Sequence, residues 1–193
     1  AKRLNIVFVL HEGDITQTDH PDEWKIAAKA MSVLDGKVPY VLCLGNHDMG
    51  YRKTGNSPDS YSTAHDRKTL FNKYFPYSKY RKLDHFGGTF TAGRMDNSYW
   101  RFESSGMKFL ILSLEFKPRD EVLEWASMVT EKHPDHRTIA LTHSYLDSQN
   151  KLTKSGYPVQ YKLVKELILG RIRFVLQLPE KRQNRFVWIW HLL

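Results

Sequence analysis

Residues 38–48 read Val-Pro-Tyr-Val-Leu-Cys-Leu-Gly-Asn-His-Asp, an apolar run that ends at Gly45 and passes at once into an amide, an imidazole and a carboxylate. Val38 to Leu44 is short and apolar on both faces, the pattern of a strand covered on both sides. Upstream, Asn5 to Leu10 has the same character and runs into His11-Glu12-Gly13-Asp14. Between them, Trp24, Ala27, Ala28, Met31 and Leu34 recur at helical spacing over Asp22 to Leu34, opened by Pro21 and closed by Asp35-Gly36. A strand, a helix and a strand with a crossover this long predict parallel neighbours in one sheet, hence an α/β fold class.

Further along, Gly50 to Gly93 has little periodicity apart from a helix-like segment around Thr69 to Tyr74, and residues 50–97 read as a long ordered excursion. Ser98 to Glu103 and Met107 to Leu114 flank Ser104-Ser105-Gly106 as a hairpin. Asp120 to Lys132 is an amphipathic helix with Val122, Leu123, Trp125, Ala126 and Val129 inward, and Thr138 to Leu141 is a short strand. Val159 to Leu169 is expected to be helical up to Gly170, followed by strands at Arg171 to Leu176 and Phe186 to Trp190. A length of 193 residues predicts one domain, 1–193.

Composition narrows the class. With 41% hydrophobic, 13% aromatic and 26% charged residues, the chain is globular and not disordered. No run approaches the roughly 18 apolar residues of a membrane span. Cys43 is the single cysteine, which excludes an internal disulfide and a thiolate zinc cluster and leaves the compartment open. The chain begins at Ala1 and enters an apolar run almost at once, so the native start and any targeting segment are expected upstream. Lys2 and Arg3 before Leu4 to Leu10 imitate a signal peptide, but the run is short and leads into no small-residue cleavage site. Of the net charge of +8, residues 1–150 contribute 20 basic and 19 acidic side chains; from Lys151 onward only Glu166 and Glu180 oppose the bases. This basic segment, 151–193, is read either as a solvated face or as a contact for nucleic acid or another polyanion. It carries no interleaving of bases and aromatics that matches an RNA-binding signature.

Three apolar runs end in ligand-type residues: Leu10 leads to Gly13-Asp14, Leu44 to Gly45-Asn46-His47-Asp48, and Leu141 to Thr142-His143. Open α/β sheets place ligands beyond the carboxyl ends of their strands, so one mouth of the sheet would collect all three clusters. Carboxylate, amide oxygen and imidazole without thiolate suit hard to borderline divalent ions. Each cluster alone also fits a turn or a satisfied core histidine; their recurrence at strand ends is the informative feature.

In this order, Gly13-Asp14, Gly45-Asn46-His47-Asp48 and Thr142-His143-Ser144-Tyr145 resemble the central motifs of the calcineurin-like metallophosphoesterase family. The resemblance implies an αββα metallophosphoesterase sandwich and a metal-dependent phosphoester hydrolase, a phosphatase or phosphodiesterase. It implies two divalent metal ions, Mn, Fe, Zn or Mg, that activate a hydroxide for attack on a phosphoester substrate. By the same resemblance Asp14 bridges the metals, Asn46 and His143 hold the second, His47 is the catalytic group beside the phosphoester, and Asp48 supports them without ligating. The family pattern also has an Asp-x-His motif before Gly-Asp and a Gly-His-x-His motif near the end. Neither occurs in these 193 residues, so the sandwich is expected to be incomplete at its N-terminal strand and near the C-terminus, and His191 is the candidate for the first late histidine. Some members carry an aspartate three residues after Asp14 that orients the catalytic histidine. Gln17 stands there, so Asp19 or Asp48 is expected to substitute. Tyr51, Arg52, Lys53, Tyr61, His65, Arg67, Phe71, Tyr74, Tyr77 and Tyr80 either line the mouth or, for the helically spaced Phe71, Tyr74 and Phe75, form local core. The alternatives to hydrolysis are a non-catalytic fragment and a polyanion-binding protein.

Overall fold

The computed structural model describes residues 6–50, 67–147, 149–165, 172–176 and 186–190. Strand β1 (Ile6–His11) is followed by helix α1 (Pro21–Ser32) and β2 (Tyr40–Leu42), and β1 and β2 pair in parallel as the crossover length requires. Glu23 determines where α1 starts. Its Oε2 accepts the N–H groups of Gln17, Thr18 and His20 at 3.2, 2.8 and 3.4 Å, while the His20 side chain accepts the Asp22 N–H.

The excursion departs from expectation. Two short helices, α2 (Phe71–Tyr74) and α3 (Tyr77–Tyr80), lead into an edge strand β3 (Phe86–Thr89) that pairs antiparallel with β4 (Ser98–Ser104). Among its described residues, Phe71, Tyr74, Phe75, Tyr77 and Tyr80 build core, the second of the two expected roles. Phe71, Tyr74 and Phe75 surround the buried Trp24 with ring centroids 5.8, 6.3 and 6.1 Å away, and Tyr80 meets Trp100 edge-on. Large apolar rings contribute a few kcal/mol each when fully buried, roughly 2–3, which outweighs any local preference for the surface. Tyr51, Arg52, Lys53, Tyr61 and His65 lie outside the described residues.

β4 and β5 (Met107–Ser113) form the expected hairpin, turned by Ser105 and Gly106, both with positive φ. Helix α4 (Asp120–Glu131) and β6 (Arg137–Leu141) follow, and β6 runs parallel to β5. A helical segment then covers Gly156–Pro158 and continues with π geometry over Val159–Lys165; the expected stop at Gly170 lies outside the described residues. Strand β7 (Ile172–Leu176) joins β6 in parallel, and β8 (Phe186–Trp190) pairs antiparallel with β1.

Two sheets result, β2-β1-β8 and β3-β4-β5-β6-β7. β6 therefore lies in a different sheet from β1 and β2, and the single-sheet mouth is corrected to one made between two sheets. Period-two alternation in β5 divides its side chains between two cores. Phe109 and Ile111 join Phe8, Trp100 and Phe102 between the sheets, while Leu110 and Leu112 join Val122, Leu123, Ala126 and Val129 of α4. Phe8 contacts Phe102 at 5.1 Å across the sheet interface, and the Ser113 hydroxyl donates to the Leu42 carbonyl at 3.1 Å. The fold is an α/β sandwich of two packed sheets with helices. Among the described residues, no helix is long and apolar enough to cross a membrane.

Candidate metal centre

The carboxyl ends of β1 and β2 turn sharply toward each other. Gly13 has φ +87° and Asp14 φ +50°, two successive left-handed residues, and a Cβ on Gly13 would lie 2.8 Å from the Gly45 nitrogen and from His143 Nδ1. Gly45 is extended, so its requirement is steric: a Cβ there would collide with the Asp14 nitrogen and Oδ1. After Gly45, Asn46–Asp48 form one 3-10 turn, and the His47 N–H donates to Asp14 Oδ1 at 3.1 Å.

Asp48 fastens these two loops from below. Fully buried, it accepts the Thr16 N–H and hydroxyl on Oδ1 at 2.7 and 3.1 Å and the Gly45 N–H on Oδ2 at 2.8 Å. Burial, aided by the Asp14 charge, pushes its carboxyl up to about 6 despite those donors.

His143 arrives from the end of β6 in the other sheet. Its Nδ1 lies 2.7 Å from the Glu12 carbonyl and its Nε2 lies 3.3 Å from Asp14 Oδ1. A carbonyl can only accept, so Nδ1 carries the proton and Nε2 faces the carboxylate. Burial opposes charge on His143, but Asp14, the Glu12 carbonyl and Asp48 together raise its pKa. Burial likewise opposes ionisation of Asp14, yet His143 and His47 hold its carboxyl below the usual range. Beneath them Glu12 is buried with neither carboxylate oxygen hydrogen-bonded, and burial pushes it up to about 7, with His143 acting the other way.

His47 meets the same Asp14 oxygen through its backbone N–H, and its ring is held by residue 17. Its Nδ1 lies 2.9 Å from the Gln17 carbonyl and 3.2 Å from the Gln17 side-chain amide nitrogen. With Nδ1 protonated toward the carbonyl, the shorter contact, the Gln17 amide turns its oxygen to the ring and Nε2 is left as the working nitrogen. This corrects the expectation that Asp19 or Asp48 replaces the missing aspartate. Asp19 accepts the Trp24 indole N–H at 2.7 Å and the Leu70 N–H at 3.1 Å, and Asp48 holds the two loops. The backbone at position 17, fixed by Glu23, presents the carbonyl to His47, so the side chain there is dispensable for that bond.

Of the residues picked out in the sequence, Asp14, His47, Asp48 and His143 meet at one mouth, and Asn46 lies on the same 3-10 turn as His47. His191 lies outside the described residues. With Nδ1 committed, a neutral His143 sets its Nε2 lone pair against Asp14 Oδ1, two acceptors 3.3 Å apart that call for a proton or a cation. That donor chemistry fits one divalent ion on Asp14 and His143, with the Asn46 amide on the adjacent turn. Among the described residues, no group of three or more His, Cys, Asp or Glu is arranged to hold an ion.

Sequence reasoning named Gln17 only as a departure from the family pattern and Arg67 only as a candidate for the mouth, and it passed over Thr16 and the loop after β5, where Phe116 packs edge-on to His143 at 5.9 Å. Glu12 had a legible signal, a carboxylate closing an apolar run; Phe116 and Lys117 had none.

Comparison with known proteins gives two findings. The sequence model of the calcineurin-like phosphoesterase family matches residues 1–176. The uncharacterized protein YvnB of Bacillus subtilis (strain 168) is 34% identical over 170 residues, which is 86% of this chain and 12% of that protein. The chain thus spans about an eighth of the length of the curated relative it matches.

Proposed function

Because the chain belongs to the calcineurin-like phosphoesterase family, we propose that the mouth around Asp14 and His143 hydrolyses phosphoester bonds with the help of divalent metal, residues 1–193 acting as one catalytic domain. The family generally relies on a dinuclear metal centre. The observation that carries the reading is the 3.3 Å approach of His143 Nε2 to Asp14 Oδ1 across two sheets, an arrangement of acceptors suited to a cation. In this reading Asp14, Asn46 and His143, joined by His191, would hold one ion, and Asp14 would also serve a second. A bound divalent pair would supply Lewis-acid stabilisation of the phosphoryl oxygens and a water acidic enough to attack at neutral pH.

The chain's own residues then do the rest. Asp48 and Gly45 fix the distance between the two loops that bear Asp14 and His47. His47, with Nδ1–H on the Gln17 carbonyl, offers Nε2 to the leaving oxygen, protonating it or stabilising its charge. Metal analysis and hydrolysis of p-nitrophenyl phosphate and bis(p-nitrophenyl) phosphate by the full-length protein, with and without chelator, test this reading. Chelator-sensitive turnover with metal bound is expected; metal bound without turnover of any phosphoester overturns it.

A further inference from the structure

The connection between α4 and β6 carries two histidines that the chemistry above does not use. It reads Lys132-His133-Pro134-Asp135-His136 and closes as one turn, the His136 N–H donating to the His133 carbonyl at 3.1 Å. Pro134 stands second in that turn, where its fixed φ suits the bend and removes backbone freedom. Two imidazoles are thereby set three residues apart on a short, stiff piece of chain.

Each ring is oriented through its Nδ1. His133 Nδ1 lies 2.7 Å from the carbonyl of Val129, in the last turn of α4, where carbonyls have no partner further along the helix. His136 Nδ1 lies 2.7 Å from Asp135 Oδ1, and the other oxygen of that carboxylate takes the Lys108 ammonium at 2.6 Å. Carbonyl and carboxylate oxygens only accept, so both Nδ1 atoms carry protons and each ring, when neutral, keeps its lone pair on Nε2. An imidazole whose N–H is held by a carbonyl or a carboxylate is the usual form of a histidine metal ligand. Among the described residues neither Nε2 has a hydrogen-bond partner. Tyr99 packs against His133 with ring centroids 5.5 Å apart and braces that ring further.

The spacing of the two rings selects a geometry. Their centroids are 5.3 Å apart and their planes 84° to each other. Two imidazoles on one tetrahedral zinc ion, with metal–nitrogen bonds of about 2.0–2.1 Å, place their centroids about 5.2 Å apart, whereas neighbouring positions of an octahedral ion bring them to about 4.5 Å. The observed separation matches the tetrahedral value, and rotation about the metal–nitrogen bonds admits any angle between the planes. Asp135 is already engaged by His136 and Lys108, and among the described residues no further His, Cys, Asp or Glu makes up a group of three, so water would complete the shell.

We propose that His133 and His136 hold a zinc ion through their Nε2 atoms, at a site separate from the mouth that fastens the end of α4 to the start of β6. His136 precedes β6 and His143 follows it, with the strand Arg137–Leu141 between them, roughly 13 Å from its first residue to its last. One ion cannot serve both ends. The site stands independently of the phosphoesterase reading.

Zinc binding to the chelator-treated full-length protein, measured by competition with a chromophoric chelator, tests the site in the parent and in the His133→Gln, His136→Gln and Asp14→Ala variants. Parent and Asp14→Ala should share one equivalent of zinc that each histidine variant binds at least about tenfold more weakly. Circular dichroism of the metal-free histidine variants should match the parent, since both substitutions lie in a surface turn. Cobalt supplies a readout that needs no histidine variant: in Asp14→Ala it should give the intense visible absorption of a four-coordinate ion, displaced by zinc. The same zinc equivalents and affinity in the parent and both histidine variants overturn the site. A loss confined to one histidine variant overturns the shared ion, and absence of the equivalent from Asp14→Ala overturns its separation from the mouth. Cobalt bound in Asp14→Ala with only the weak absorption of a six-coordinate ion overturns the tetrahedral assignment.

Discussion

Asp48 accepts the Thr16 N–H at 2.7 Å from a position 32 residues away, while its other oxygen takes the Gly45 N–H, so one buried side chain determines the spacing of both loops of the mouth. Asp48→Ala would leave two buried N–H groups without acceptors. We expect it to destabilise the protein by about 2–4 kcal/mol, and Asp48→Asn by less, since one amide oxygen still accepts. Urea denaturation checks this, and a loss below about 0.5 kcal/mol in the alanine variant would mean that the loops are held by something else.

Metal uptake distinguishes the proposed ligands. Asp14→Ala should remove more bound metal than Asn46→Ala or His143→Ala, because in the proposed centre Asp14 is the residue that serves both ions. Metal content per chain, determined on the full-length protein after dialysis, should rank the three in that order; parent-like content in the Asp14 variant would sink the assignment.

Removing the His47 imidazole should spare metal binding and slow hydrolysis by roughly 10²- to 10⁴-fold, with a smaller loss for esters of nitrophenol, whose leaving group needs no proton. Gln17→Ala should differ little from the parent, because the bond to His47 comes from the main-chain carbonyl. A loss in Gln17→Ala matching that of His47→Ala would show that the amide side chain does the orienting.

Burial raises the Glu12 carboxyl from its usual 4.5 to about 7, so in metal-free protein the folded state holds a proton that the unfolded chain releases between those values. The associated stability is complete below pH 4.5 and is lost as pH rises through 7, a drop of up to about 3 kcal/mol. Glu12→Gln should match the parent near pH 4 and exceed it at pH 8. Denaturation curves at both pH values test the sign; a variant weaker than the parent at pH 8 contradicts it.

Local pattern carried most of the strand and helix content. The β1-α1-β2 unit was readable because the alternation of apolar runs and the 3.6-residue spacing of Trp24, Ala28 and Met31 are imposed by each element's own geometry. The hairpin was readable because Ser105-Gly106 can take positive φ at both turn positions. β3 was not, because Phe86-Gly87-Gly88-Thr89 lacks alternation, and as an edge strand it gains its pairing from β4 alone. For Phe71 and Phe75 the helical spacing allowed local core and the mouth alike, and the choice depends on Trp24 being within reach.

By itself, the sequence determined which residue types stand at the strand ends, because an apolar run that stops at Gly-Asp, Gly-Asn-His-Asp or Thr-His must expose those groups where the strand leaves the sheet. The tertiary structure decided how they face one another. That β6 lies in the second sheet, that the Glu12 carbonyl sets the His143 tautomer, and that Gln17 presents its backbone to His47 all depend on contacts between residues far apart in sequence. The reason is that a hydrogen bond or a charge interaction is decided by distance and direction at the ångström scale, and only the packing of Phe8, Phe102, Ile111 and their neighbours between two twisted sheets brings the loops to that range.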